Sequence, residues 1–342
     1  MSSTTHNNHN MASNTHDILL LGSNIYYAHM FLPQMAPDDF DDADSAIGSD
    51  DDQSSLQSIS SSITEYVYRN GRRYASFRQG NYRLPNDELE SDRHDFLQHI
   101  YGMLFGGRLI FAPISDNPTR ILDVGTGTGI WAMDVADSYP GTHVIGTDIS
   151  PIQPTWVSPN ISFEIDDAES EWTFRSKFDL IHFQNLNGAI RDWRRLLEQI
   201  FENLIPGGWV EAKEANVYST CDDNSMPSDC ELRKWESYCI QACAIIGQTL
   251  TAPDNLQTWM KEVGFVDVQE QQFKLPINTW PKDPELKLAG RYQFVQYMDA
   301  LQPYALGLLV EVLGWPREEM EVFLVGLRKD LSNRSYHGYN IV

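Results

Sequence analysis

The chain is poor in positive charge. It has 25 lysine and arginine residues against 48 aspartate and glutamate residues, so its formal net charge at pH 7 is −23. Because a protein that neutralises phosphates needs a basic surface, we expect no nucleic-acid partner. The excess of acid also disfavours an anionic membrane surface. No apolar run reaches the roughly 18 residues that a membrane span needs, so we expect no membrane partner.

Cysteine is scarce as well. All four cysteines lie between Cys221 and Cys243, without a CxxC pair and without a histidine among them. This spacing does not suit a zinc site, so we predict that the protein binds no metal. Reduced cysteines are typical of an intracellular protein, and we expect a cytoplasmic one. Residues 1–17 are polar and do not resemble a secretory signal.

The first 60 residues are rich in serine, threonine, asparagine, histidine and aspartate. Within them, residues 37–52 contain eight aspartates and no basic residue. Such a run cannot bury enough apolar surface to fold, so we predict a disordered acidic and serine-rich tail over 1–60. The alternative is that this tail docks a protein partner.

The most informative segment is ILDVGTGTG at 121–129, where an apolar strand leads into alternating glycines. Glycines let the backbone turn sharply and approach a ligand closely. A dinucleotide fingerprint would read G-x-G-x-x-G, but position 130 is isoleucine. The acid at 123 would repel a pyrophosphate and suits a ligand with a positive amino group, which favours S-adenosylmethionine (SAM) over NAD. The predicted contacts here are Asp123, Gly125, Thr126, Gly127 and Gly129.

Two further strands also end in acidic residues. The strand HVIGT ends at Asp148, which lies 19 residues after Gly129, the distance typical of an acid that binds ribose hydroxyls. The strand in SFEIDDA ends at Asp167 and Ala168, where a carboxylate and a backbone amide suit adenine. We therefore add Asp148, Ile149, Asp167 and Ala168 to the predicted SAM site.

The rest of the chain alternates strands and helices, which indicates a parallel sheet covered by helices on both faces. We predict an α/β, Rossmann-like domain over 61–342. It comprises a helical N-terminal lid at 61–118, a SAM-binding core at 119–218, and the remaining strands with a helical cap at 219–342. Within the last part we expect a strand at 265–275.

Several longer strings resemble the fungal LaeA-like methyltransferases, a branch of the class I SAM-dependent enzymes. The similarity covers about 60–342 and includes LPNDELESDRHD, ILDVGTGTGIWAMDVAD, VIGTDISPIQP and PGGWVE. The resemblance implies a seven-stranded Rossmann-like sheet, SAM as methyl donor and a role in fungal secondary metabolism. Some members modify a small metabolite, whereas others are nuclear regulators that work with velvet proteins.

The chain departs from the family pattern in two places. The family usually has arginine two places after the histidine of the fourth strand, but here His182 is followed by Phe183 and Gln184. The family also continues past the final H-x-Y stretch, whereas this sequence stops at YHGYNIV. We therefore expect a shortened seventh strand.

A general base is needed only if the methyl acceptor is protonated at neutral pH, as a hydroxyl is. His182, at the end of the fourth strand, is the predicted catalytic residue because imidazole titrates near that pH. The alternative is a histidine that only packs. Glu211 and Glu214 are expected to orient neighbouring groups or the amides of the cofactor loop; the alternative is that they abstract a proton. We expect an enzyme that methylates a small secondary metabolite at O, N or C; the alternative is a regulator, in the cytoplasm or nucleus, that acts through velvet-type partners.

Overall fold

The computed structural model of the protein describes residues 66–69, 71–75 and 84–342. The predicted tail at 1–60 lies outside the described residues. Among the helices that are described, none combines the length and apolar character needed to cross a bilayer.

The described part begins with an antiparallel hairpin of β1 (Tyr66–Arg69) and β2 (Arg72–Ala75). This hairpin precedes the expected helix α1 (Glu88–Leu104) and was not part of the prediction. Asp87 caps α1, because its side chain accepts a hydrogen bond from the backbone N–H of Glu90 at 3.1 Å. The same carboxylate accepts from Arg72 Nη2 at 2.7 Å, so the cap also attaches the hairpin to the helix.

Five parallel strands form the central sheet, which confirms the predicted α/β fold. They are β3 (Arg120–Val124), β4 (His143–Asp148), β5 (Ile161–Ile165), β6 (Phe178–Gln184) and β7 (Leu204–Lys213), in the spatial order β5-β4-β3-β6-β7. The order reverses between β3 and β6, so the carboxyl ends of these two central strands face a crevice that suits a ligand.

Helices cover both faces of the sheet. Helix α2 (Ile130–Ser138) packs Trp131 and Val135 against one face. Helix α3 (Trp193–Asn203) packs Leu196 on the other, within an apolar stripe at steps of three and four residues. The inner strands β3, β4 and β6 are therefore largely buried on both sides, as expected for parallel sheets, whereas the edge strands β5 and β7 keep exposed residues such as Glu164 and Pro206.

The C-terminal third contains most of the cap. Its elements are α4 (Glu231–Ile245), α5 (Pro253–Val263), β8 (Lys274–Pro276), α6 (Pro284–Ala305), a π-helical turn (Leu306–Val310), α7 (Arg317–Ser332) and β9 (Tyr339–Ile341). Helices α4, α6 and α7 and the π-helical turn share one apolar core that includes Trp235, Leu309 and Leu324.

Among the described residues the central sheet has five strands and not the seven that the resemblance implies, and the two C-terminal strands are short and lie outside it. Strands β8 and β9 pair with each other, and β9 also meets the segment after β7, where Asn216 N donates to Ile341 O at 2.9 Å. The predicted strand at 265–275 is wrong for all but its end, because only Lys274–Pro276 forms a strand. Val266 and its neighbours alternate in polarity but have no strand beside them, and Val266 is exposed.

Gly129 offers a test of the packing between α2 and the sheet. Its φ is +83°, and an added Cβ would lie 2.3 Å from Cζ of Phe163. We expect Gly129→Ala to lower the free energy of unfolding by about 2–4 kcal/mol, from backbone strain and overpacking together. Urea denaturation measures the loss.

Gly141→Ala is the matched control, because an added Cβ at Gly141 meets nothing within 4 Å. The loss at Gly129 should shrink in a Phe163→Leu background, where the clashing ring is absent. An equal loss in both backgrounds would show that the ring is not the cause.

Candidate functional site

A cavity of about 420 Å³ opens at the carboxyl edge of the sheet. Its walls come from the loop after β3, the ends of β4, β5 and β6, helix α1, and the cap. This is the edge at which open α/β sheets bind ligands.

The glycine loop lines this cavity with Gly125, Thr126 and Gly127. All three glycines of the loop have positive φ: 69°, 58° and 83° for Gly125, Gly127 and Gly129. A Cβ on Gly125 would lie 2.5 Å from Cδ2 of Leu186, so only glycine fits without displacing a neighbour. Gly129 lies apart from the cavity and packs against Phe163 of β5.

Asp148 lies at the end of β4 and lines the cavity together with Ile149. Its Oδ2 accepts a hydrogen bond from Gly127 N at 2.9 Å, and its Oδ1 accepts from Ser150 N at 2.8 Å. Burial raises the pKa of this carboxyl to about 6, against the opposing effect of the two amides. Each oxygen keeps further lone pairs that can accept hydrogen bonds from a ligand.

Asp167 and Ala168 follow β5 and line the same cavity. Asp167 Oδ1 accepts from Glu169 N at 3.0 Å. The carbonyl oxygen of Ala168 accepts from Trp172 Nε1 and Gln199 Nε2, each at 3.1 Å. These bonds fix the backbone at this edge of the cavity.

His182 lies on β6, lines the cavity and is fully buried. Parallel pairing places it beside Asp123 on β3, and its Nδ1 lies 2.7 Å from Asp123 Oδ1. The Trp131 ring stacks on the imidazole at 3.5 Å between centroids. Burial, with the nearby charge of Lys213, lowers the pKa of His182. The neutral imidazole is thus the favoured form, and its role as a base stays a prediction.

Asp123 joins this buried pair to the glycine loop. Its second oxygen, Oδ2, accepts from Thr126 Oγ1 at 2.6 Å. The side chains of Asp123 and His182 therefore hold the start of the loop against the two central strands.

The two glutamates near the end of β7 bind backbone amides, as expected. Glu211 Oε2 accepts from Phe111 N and Ala112 N at 2.7 and 2.6 Å, and so holds the segment before β3. Glu214 accepts from the backbone amides of Leu186 and Asn187 at 2.7 and 3.0 Å, and so holds the loop after β6. Burial raises the pKa of Glu214 to about 8.

Lys213 was missed by the sequence reasoning. It is buried near the end of β7, 3.1 Å from Glu211 Oε1, and also donates to the carbonyl oxygen of Leu109. Burial lowers the pKa of this ammonium group. A lone lysine in the sequence gave no signal of this position, because Leu109, whose carbonyl oxygen accepts its hydrogen bond, lies 104 residues away.

Helix α1 forms a wall that the sequence reasoning described only as a lid. Its cavity-lining residues recur at helical spacing and are Glu90, Arg93, His94, Leu97, Gln98 and Tyr101. Tyr101 Oη donates to Asn185 Oδ1 at 2.8 Å, and Gln184 Nε2 donates to Gln98 Oε1 at 2.9 Å. These two bonds attach the helix to the loop after β6. The amphipathic pattern of this segment was the sequence signal that could have indicated a wall of the site.

The cap supplies a wall of different chemistry, since none of its lining residues is charged. They are Trp235, Cys239, Cys243, Ile246, Gln248, Leu250, Leu275, Gln293, Gln296, Tyr297, Ala300, Leu301, Tyr304, Gly307, Leu308 and Asn340. The cavity thus has a charged half near the strand ends and a half below the cap, called the neutral half because the cap adds no charge to it. The guanidinium of Arg93, paired with Glu90 on α1, reaches this half and lies 5.7 Å from the centroid of the Tyr304 ring.

Comparison with known proteins agrees with this geometry. Residues 96–270 match the family model described as a methyltransferase domain. Methyltransferase pytC of Aspergillus terreus is 38% identical over 288 residues, covering 84% of this chain and 89% of that protein. The chain belongs to the LaeA-like methyltransferases.

Two other members of this family differ in the role that their names give. Secondary metabolism regulator LAE1 of Cochliobolus heterostrophus is 37% identical, covering 79% of this chain and 91% of that protein. Protein-methionine methyltransferase laeA of Emericella nidulans is 33% identical, covering 84% of this chain and 78% of that protein. Membership of this family therefore shows that the protein is a methyltransferase, but it does not identify the methyl acceptor.

SAM is the cofactor of this LaeA-like methyltransferase, and the cavity fits it. Seven carboxyl side chains line the cavity. Arg93, which is paired with Glu90, is the one lysine or arginine among its described lining residues. This balance suits a cationic sulfonium and opposes a pyrophosphate. Gly125 and Gly127 leave room for the cofactor to approach the loop closely. Asp148, which binds the loop at Gly127, and Asp167 offer hydrogen-bond acceptors to it.

The pKa of Asp148 predicts how SAM binding depends on pH. Only the carboxylate accepts hydrogen bonds from hydroxyl groups with both oxygens, so the affinity should fall as pH drops below about 6 and level off above it. We expect Asp148→Asn to weaken SAM binding about tenfold at pH 7.5, equivalent to about 1.4 kcal/mol, and to flatten this profile. Calorimetry between pH 5 and 7.5 measures both effects.

Asp299→Asn, on the exposed side of α6, is the control for a lost carboxylate. An unchanged affinity and profile in Asp148→Asn would exclude Asp148 from the cofactor site.

Replacing His182 separates its two candidate roles. His182→Leu leaves Asp123 buried without the imidazole, so we expect about 1–3 kcal/mol less stability and weaker SAM binding. Denaturation and calorimetry measure these losses, with the exposed His143→Leu on β4 as control. Abolished turnover with unchanged SAM affinity would instead support the base role.

Proposed function

We propose that this enzyme transfers the methyl group of SAM to the O, N or C atom of a small, uncharged secondary metabolite. The observation that carries the proposal is the neutral half of the cavity. It is continuous with the SAM-binding half, so an acceptor bound there shares one enclosed space with the cofactor.

The chemistry of the cap suits an organic molecule of this kind. Trp235, Leu301 and Leu308 supply apolar surface and are themselves largely buried. Gln293 and Gln296 add amide groups that can both donate and accept hydrogen bonds. Mostly apolar walls with a few polar groups are typical of small-molecule sites.

Charge argues against an anionic acceptor. Those of the seven lining carboxyl groups that are ionised would repel an anionic acceptor, and the guanidinium of Arg93 is held by Glu90 at 2.6 Å. A neutral acceptor avoids this repulsion. It also loses less hydration on entering the neutral half.

The protein's contribution to the reaction is orientation and exclusion of water. SAM supplies the electrophilic methyl group. Glu214 fixes Leu186 and Asn187 in the loop between the two halves of the cavity, and α1 closes one side. Where the acceptor atom carries a proton, His182 is the proposed base.

A second candidate function is regulation of secondary metabolism by methylating or binding a protein. The names of LAE1 and laeA, relatives at 37% and 33% identity, favour it. In that case the acidic segment at 37–52 is the proposed docking element for a protein partner.

An assay with tritiated SAM distinguishes the two functions. The purified enzyme is incubated with the small-molecule fraction, and separately with the protein fraction, of a fungal strain that lacks the gene. We expect the label in a small molecule. Label confined to protein, or loss of labelling on deletion of residues 1–58, would contradict the proposal and support the regulator.

A variant of the cap makes this assay specific for the acceptor site. Ala300→Phe adds a ring to the neutral wall and should abolish labelling, whereas the affinity for SAM should stay within about twofold. Val295→Phe, on the exposed side of the same helix, is the matched control and should leave labelling unchanged.

A further inference from the structure

A histidine on α1, which no sequence argument singled out, lies against the glycine loop. A Cβ built on Gly127 would be 3.6 Å from Nδ1 of His94, so this nitrogen faces the middle of the loop. His94 also lines the cavity and is partly exposed to it. When the imidazole is protonated, it lowers the pKa of the nearby carboxyl of Asp148, which itself binds the N–H of Gly127.

The other ring nitrogen of His94, Nε2, faces the carboxylate of Glu90 on the same helix. This nitrogen lies 3.4 Å from Oε1 of Glu90, a carboxylate that is only 2% exposed. Arg93 donates to the same oxygen through Nε at 3.0 Å and Nη2 at 2.6 Å, so Glu90 cannot readily turn away. Although burial alone would raise the pKa of Glu90, His94 and Arg93 lower it to about 2.

This arrangement selects one tautomer. A carboxylate only accepts hydrogen bonds, so the proton of a neutral imidazole belongs on Nε2, beside Glu90. Nδ1 is then an acceptor directed at the glycine loop. A ligand that meets it there must offer a hydrogen-bond donor.

We propose that His94 binds SAM by accepting a hydrogen bond from a ribose hydroxyl at Nδ1. The ribose is the part of SAM assigned to Asp148, which binds the N–H of Gly127, and Nδ1 of His94 lies beside the same glycine. Glu90 acts through His94 as a positioning residue. The other donors of SAM are the adenine amino group, which is assigned to Asp167, and the ammonium group, which two ligands distinguish from the ribose.

Calorimetry with S-adenosylhomocysteine and with 5′-methylthioadenosine tests the contact. The second ligand keeps the ribose and lacks the amino-acid end. We expect His94→Leu to weaken both about three- to tenfold, the scale of one hydrogen bond. His94→Asn keeps an acceptor near the position of Nδ1 and should lose less affinity than His94→Leu.

His99→Leu, on the exposed side of the same helix, is the matched control and should bind both ligands normally. Unchanged affinity in His94→Leu would overturn the proposal. A loss confined to S-adenosylhomocysteine would place the contact at the ammonium group and overturn the ribose assignment.

The melting temperature of the ligand-free variants separates binding from folding. We expect it to change little, since His94 is partly exposed. Weaker binding that His94→Asn does not recover, together with a lower melting temperature, would mean a structural role and overturn the proposal. If His94→Leu does not fold, His94→Gln serves the same test, because its amide reaches towards Glu90 and leaves no acceptor at the Nδ1 position.

Discussion

The contact between Asp123 and His182 joins the two central strands at the edge where the cavity opens. One oxygen of Asp123 meets the imidazole at 2.7 Å, and the other accepts from Thr126 in the glycine loop. Both side chains are buried and Trp131 covers the ring, so water cannot replace either partner. A buried carboxylate without partners costs several kcal/mol, which makes this pair a strong constraint on the position of the loop.

Acidic side chains serve two purposes around this constraint. Glu211 and Glu214 hold backbone amides of neighbouring segments, and Asp148 holds those of Gly127 and Ser150. Asp148 and Glu214 also line the cavity, together with Asp123, Asp166 and Asp167, and so add to the acidic character of the proposed SAM site. Repulsion among them is reduced by burial, which raises the pKa of Asp148 and Glu214 and thereby favours their neutral forms. A cationic cofactor compensates the remaining charge.

The sheet could be predicted because its signals are local. Apolar runs, the glycines after β3 and the acid at 148 each occupy a few consecutive residues, and the structure places them at one edge. The row of Asp123, His182 and Glu211 could not be predicted, because it depends on the register between three strands far apart in the sequence. The alternating pattern around Val266 gave a wrong strand, since alternation does not show whether a neighbouring strand exists.

Strand β9 carries the last wall of the neutral half. Asn340 lines the cavity, accepts from Tyr297 Oη at 2.5 Å and donates to the carbonyl oxygen of Asn216 at 3.1 Å. Val342 exchanges two backbone hydrogen bonds with Phe273, at 2.9 and 3.0 Å. Asn340 thus joins Tyr297 of α6 to the segment after β7, so one side chain couples the position of the cap helix to that of the sheet at this wall.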